Sequence, residues 1–171
     1  MTRDGRLPEL LAPAGSPEAL RAAVEGGADA VYFGASGFNA RAGARNFSDT
    51  ELRRAVEFCH GRGVRVYLTL NTLIYDRELR DYLAAAETAY LAGVDALIVA
   101  DIGGAAALRR TFPDLPLHAS TQMSGHSVGC AKELASLGFE RMVLAREMSF
   151  ADIAGFTRTS PIEAEVFIHG A

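Results

Sequence analysis

Short apolar or β-branched runs alternate with helix-length amphipathic runs along the whole 171-residue chain. The strand-like runs are ELLAPAG, AVYFG, VRVYLTLN, ALIVAD, LPLHAST, RMVLAR and EAEVFIHG. Between them lie SPEALRAAVEGG, SDTELRRAVEFCHGRG, DRELRDYLAAAETAYLAG, GGAAALRRTF, GHSVGCAKELASLG and SFADIAGFTRT. Such alternation implies a parallel sheet covered by helices. Several strand runs are apolar almost throughout, as burial on both faces requires. Boundary signals agree with this reading: Ser16 before Pro17, a capping box from Ser48 to Glu51, and Gly26, Gly61, Gly93 and Gly138 after helical runs. A (β/α)8 barrel and an open doubly wound sheet both fit.

The polar residues favour the barrel. At the ends of the strand runs stand Pro13 to Gly15, Gly34, Asn71, Asp101, Ser120 to Gln122, Arg146 with Glu147, and His169. The opposite ends begin blandly, with residues such as Ala30, Ala96 and Arg141. In parallel βα folds the carboxyl ends of the strands share one face, where the active site is built. The expected fold is therefore an α/β TIM-type barrel of about seven parallel strands and six helices, in one domain over residues 1–171. A complete barrel takes about 250 residues, so the barrel is expected to be truncated. Asp101 and Ser120 read equally well as helix caps. Alternation puts Glu165, Phe167 and His169 on one face of the seventh strand, and His118, Ser120 and Gln122 on one face of the fifth. A buried Glu165 needs a partner, expected to be Arg146 or Arg41. His118 alone reads as a hydrogen-bonded core histidine.

Composition narrows the function classes. The chain is 49% hydrophobic and 22% charged with a formal net charge of −4, so it is globular and lacks the charge for strong nonspecific nucleic-acid binding. Lys132 is the only lysine, in a helical run, which leaves little room for Schiff-base chemistry. Cys59 and Cys130 form neither a disulfide framework nor a CxxC pair and read as small buried residues. No run has the length of a signal peptide or a membrane span, so the expected compartment is the cytoplasm.

The longest connection, ASGFNARAGARNF, carries Arg41 and Arg45, which suit a bidentate grip on an anion. GHSVG matches the G-x-S-x-G elbow, and Ser127, Asp152 and His169 follow hydrolase order. STQMS separates that serine from its strand, however, which places Ser127 in the first turn of a helix. Metal, dinucleotide and P-loop motifs are missing, and His60, His118, His126 and His169 are scattered.

ELLAPAGSPEALRAAVEGGADAVYFG, the FNARA loop, LHASTQ, LAREMS and the terminal EVFIHGA together resemble the collagenase-like peptidases, family 32 of the peptidases of unknown catalytic type. The likeness runs in order over essentially the whole chain. It implies a TIM-type barrel and an iron–sulfur-dependent, oxygen-independent hydroxylase of tRNA, rRNA or a quinone precursor. Prephenate is the implied anionic co-substrate, and the 4Fe-4S ligands are expected beyond Ala171. Family positions fall on Asn71, Gln122, Glu165 and His169 as catalytic residues. Pro13, Gly15, Asn39, Arg41, Ser120, Arg146 and Glu147 fall to substrate binding. Ser127 has no family support as a nucleophile. The alternatives are a collagenase-like peptidase and a non-catalytic barrel subunit completed by a partner or a second copy. This chain by itself is expected to be inactive.

Overall fold

The computed structural model describes residues 7–34, 37–40 and 47–169. Its elements alternate in chain order: β1 (Leu11–Pro13), α1 (Pro17–Glu25), β2 (Ala30–Gly34), α2 (Asp49–His60), β3 (Arg65–Leu70), α3 (Leu79–Ala92), β4 (Ala96–Val99), α4 (Ile102–Thr111), β5 (Leu117–Ala119), α5 (Val128–Ser136), β6 (Phe139–Val143), α6 (Phe150–Thr159) and β7 (Glu163–Glu165). The seven strands form one sheet in sequential order, every neighbouring pair parallel. The expected strands and helices are all present, in the curled arrangement of an incomplete TIM-type barrel.

The helix ends follow the chemistry of the chain. Ser16 caps α1, Ser48 and Glu51 make a reciprocal box on α2, and Ser149 and Asp152 make another on α6. Each satisfies amide groups that a helix start leaves without intrahelical partners. Gly93 ends α3 in the left-handed conformation at φ +84°, where a Cβ would be strained. Gly26 and Gly61 are right-handed instead, and the left-handed turn falls one or two residues later, at Gly27 and Gly63.

Two cores lie on opposite sides of the sheet. Val31, Phe33, Val66, Leu68, Leu70, Leu97, Val99, Leu117 and Met142 point outward into a large cluster with Leu52, Val56, Tyr82, Leu108 and Leu134 of the helices. Each such side chain contributes about 1.5–3 kcal/mol by leaving water. The inward residues make a much smaller apolar cluster, Ala30, Tyr67, Ala96 and Ile98, with Leu11 and Tyr32 against it. The rest of the interior is polar. Arg65, Thr69, His118, Arg141, Glu163 and Glu165 all alternate inward on their strands.

One irregularity sets this pattern. Leu117 pairs with Phe139 and His118 pairs with Arg141, which leaves Glu140 as a bulge. Phe139 and Arg141 have the same parity, yet Phe139 packs toward the helices and Arg141 faces the interior. The extra residue makes that reversal possible.

Two sequence expectations are corrected here. The seventh strand ends at Glu165, not at the end of the EVFIHG run, so Val166 to His169 lie outside the sheet. The amino ends of the strands are also far from bland. Arg141, 8% exposed, binds Glu163 through Nε and Nη2 at 3.0 and 2.7 Å, Glu9 through Nη1 at 2.7 Å, and Glu165 at 3.5 Å. Glu9 also pairs with Arg65 and accepts from the Tyr67 hydroxyl at 3.0 Å. A cation buried among three carboxylates satisfies what an isolated buried charge could not.

Candidate active site

A cavity of about 190 Å³ opens at the carboxyl ends of the strands. Its floor is apolar, with Tyr32, Ile98 and Val143, and its walls carry side-chain amides and hydroxyls. The strand that presents each residue explains the arrangement. Thr69 faces inward near the end of β3, and its hydroxyl lies 3.2 Å from both the Asn39 Oδ1 and the Phe33 carbonyl. Asn71 follows β3; it accepts from the Ala40 amide at 3.0 Å and donates from Nδ2 to Ser120 Oγ at 3.2 Å. Ser120 follows β5, and its Oγ also accepts from the backbone N–H of Gln122. Asn39, Asn71 and Ser120 thus bind one loop to the ends of two strands.

Gly34 makes this packing possible. A Cβ on it would run into the Asn39 amide, so the end of β2 has room for Asn39 only because it has no side chain. The side chain of Gln122 makes no hydrogen bond among the described residues, and its amide is free at the cavity edge. Glu165 is the cavity's one acid among the described lining residues. Burial raises its pKa, and the Arg141 charge opposes that shift only in part. Among the described residues its partner is Arg141 rather than Arg146, while Arg41, the other expected partner, lies outside them.

The expected site residues are only partly assembled. Gly15, Asn39, Asn71, Ser120, Gln122, Arg146 and Glu165 line the cavity. Pro13, Glu147 and His169 are exposed and lie outside its lining. For His169 the reason is the early end of β7. Arg41 and Arg45 fall outside the described residues. Asp101 caps α4, its Oδ1 accepting from the Gly104 amide at 2.7 Å.

Thr69, Tyr32 and Phe167 also line the cavity and were missed. The alternation of RVYLTL was the one signal that could have found Thr69.

His118 differs from the expected hydrogen-bonded core histidine. It is 5% exposed, packs edge-on against Tyr67 at 4.8 Å, and its Nδ1 has no partner. Burial, with Arg141 and Arg65 nearby, lowers its pKa to about 3. It lines a second cavity of about 270 Å³ at the amino ends of the strands, with Arg65, Tyr67, Arg141 and Glu163.

Among the described lining residues no hydroxyl has a histidine or lysine base beside it, and none is a cluster ligand of the Cys or His type. Ser127 is the cap of α5, its Oγ accepting from the Cys130 amide at 3.1 Å. That geometry replaces the strand-to-helix elbow a hydrolase serine needs. The described lining contains no Cys, His or Lys. Cys59 is buried in α2 with its thiol pushed up to about 11, and burial also raises Cys130 in α5. Neither thiol is disposed to ionise, and no group of three or more His, Cys, Asp or Glu among the described residues suits a metal ion. The described residues therefore do not fit an iron–sulfur cluster. No helix among them is long and apolar enough to cross a membrane.

Comparison with known proteins places the chain in a family and supports its fold. The model of peptidase family U32 matches residues 15–171. A 23S rRNA 5-hydroxycytidine synthase of Escherichia coli is 41% identical over all of this chain. The tRNA hydroxylation protein P1 of Bacillus subtilis is 40% identical over 96% of it, and a collagenase of Porphyromonas gingivalis 34% over 95%. The chain spans 26%, 39% and 42% of the lengths of these three proteins. A solved U32 peptidase superposes with a TM-score of 0.72 at 15% identity, covering 97% of this chain and 70% of that one, which is a likeness of fold.

Proposed function

The chain belongs to peptidase family U32, and we propose that it is the barrel portion of an enzyme that hydroxylates a pyrimidine base of RNA. The observation that carries this reading is the cavity above β3, β5 and β7. Its walls offer uncharged donors and acceptors from Thr69, Asn71, Ser120 and Gln122, and its floor is apolar. Those groups suit the polar edge of a flat, neutral ring, with Arg146 and Glu165 as the ionisable side chains of the described lining. Enzymes acting on a base take it out of the stack and into a close pocket, where its polar edge is read by hydrogen bonds. The RNA-hydroxylating relatives, at 41% and 40% identity, point the same way.

The residues of this chain have distinct parts in that reading. Gln122, with its amide free, takes the polar edge of the ring. Asn71 and Ser120 fix the loop that forms one wall. Glu165, with a raised pKa and a cavity-facing carboxyl, holds or accepts a proton near the ring. Replacing a ring C–H by C–OH is a two-electron oxidation. Its oxygen donor, an anionic co-substrate such as prephenate, and its electron acceptor are not accounted for by the described residues. We therefore assign no step through a cluster.

A peptidase is the weaker reading. The collagenase relative favours it, but Ser127 is committed to a helix cap and the described lining provides no histidine base.

The test is to delete the gene and compare digested tRNA and rRNA nucleosides by mass spectrometry. Loss of a hydroxylated uridine or cytidine, restored by the wild-type gene but not by Glu165→Ala, supports the reading. An unchanged set of nucleosides overturns it.

A further inference from the structure

We propose, building on the reading of the cavity as a pyrimidine pocket, that Arg146 and Phe167 form a clamp at its mouth that grips the backbone phosphate of the inserted nucleotide.

Size is the first argument. At about 190 Å³ the cavity is smaller than the roughly 300–1,000 Å³ that encloses a drug-sized ligand. A space of that size suits a single ring better than a whole nucleotide. An inserted nucleotide therefore leaves its backbone at the rim.

Position and chemistry supply the second. Arg146 follows β6 beyond Val143, and Phe167 follows β7 two residues beyond Glu165. Both line the cavity, and both are exposed. The Arg146 guanidinium lies 4.9 Å from the centre of the Phe167 ring. A guanidinium held over an aromatic ring by cation–π attraction still has N–H groups for the forked grip that suits a phosphate. Among the described residues it has no carboxylate partner, unlike Arg141, whose donors are taken up by Glu9, Glu163 and Glu165. Phe167 is 42% exposed, which costs apolar hydration unless something covers it. A ribose laid over the mouth would cover it.

Charge is the third. A chain of net charge −4 has no general attraction for RNA. Arg146, without a carboxylate partner among the described residues, gives a local one, aimed at the nucleotide that enters.

The same guanidinium chemistry would also take the carboxylate of a small co-substrate, and the experiment separates the two. The 171-residue chain is titrated by fluorescence anisotropy with a short single-stranded purine RNA carrying one central cytidine or uridine. A second RNA has an abasic central residue, and a third has methylphosphonates flanking the pyrimidine. Arg146→Met is expected to weaken binding of the all-phosphate RNA by roughly five- to tenfold. On the methylphosphonate RNA it should change little, because the partner charge is already gone. Phe167→Ala should show the same coupling to a smaller extent. Equal losses on both backbones would overturn the clamp. So would a variant that binds RNA like the wild type but no longer responds to competing prephenate, which assigns Arg146 to the co-substrate. A wild-type chain that binds the abasic RNA as tightly as the pyrimidine RNA would instead overturn the pocket reading itself.

Discussion

Arg141 on β6 donates from Nη1 to Glu9 just before β1, at 2.7 Å and across 132 positions of sequence. That bond ties the segment before β1, at one end of the sheet, to β6, the next-to-last strand, on the amino-terminal side. The same guanidinium reaches Glu165 at the edge of the upper cavity. One side chain thus holds the barrel's shape and one wall of its candidate site.

Replacing Arg141 should therefore damage both. Arg141→Met leaves Glu9, Glu163 and Glu165 without their common cation, and breaking a buried pair from one side costs about 3 kcal/mol or more. Arg141→Lys keeps the charge but loses the fork, so its cost should be smaller. Urea unfolding at neutral pH measures the difference. In folded Arg141→Met the Glu165 pKa should rise further, because Arg141 lowers it in the wild type.

His118 should make the fold sensitive to mild acid. Its pKa falls from 6.5 to about 3 in the folded chain, so below pH 6.5 the unfolded chain takes up a proton that the folded chain refuses. Stability from this group is complete above 6.5 and is lost as pH falls toward 3. The loss is about 2 kcal/mol by pH 5. His118→Gln should remove this component, leaving only the slope due to the carboxylates. Urea midpoints at pH 7 and pH 5 for both proteins decide it; parallel losses would refute it.

Gly34 and Asn39 should behave as a coupled pair. Gly34→Ala puts a methyl group where the Asn39 amide sits and should destabilise by about 1–3 kcal/mol, the usual range for overpacking. In an Asn39→Ala background the amide is gone, and the same substitution should cost clearly less. A thermal or urea double-mutant cycle reads the interaction directly. Additive costs would show that Asn39 moves aside without penalty.

Ser127→Ala separates a cap from a nucleophile. Loss of its bond to the Cys130 amide should cost about 1 kcal/mol of stability. Any activity of the full enzyme should persist at temperatures where the variant is folded. Abolished activity in a fully folded variant would restore the hydrolase reading.

Much of the architecture follows from local chemistry that is visible in the chain. Alternating runs, Ser16 before Pro17, and the Ser48–Glu51 box mark where strands and helices begin, because they depend on neighbours a few positions away. The wall residues Asn71, Ser120 and Gln122 were legible for a related reason: in a parallel sheet every strand's carboxyl end reaches the same face. Three features were not legible. His169 ends outside the cavity lining because β7 stops at Glu165, and strand length is fixed by pairing with β6 rather than by the apolar run. Arg141 faces inward because Glu140 bulges, and a bulge exists only in register with a neighbouring strand. Glu165 finds Arg141, and Arg141 finds Glu9, through a curvature that no local pattern encodes. The sequence by itself determined which segments are strands and helices and which end of the sheet collects polar groups. Only the tertiary structure decided which charges meet inside, because pairing register and barrel curvature are relations between distant segments.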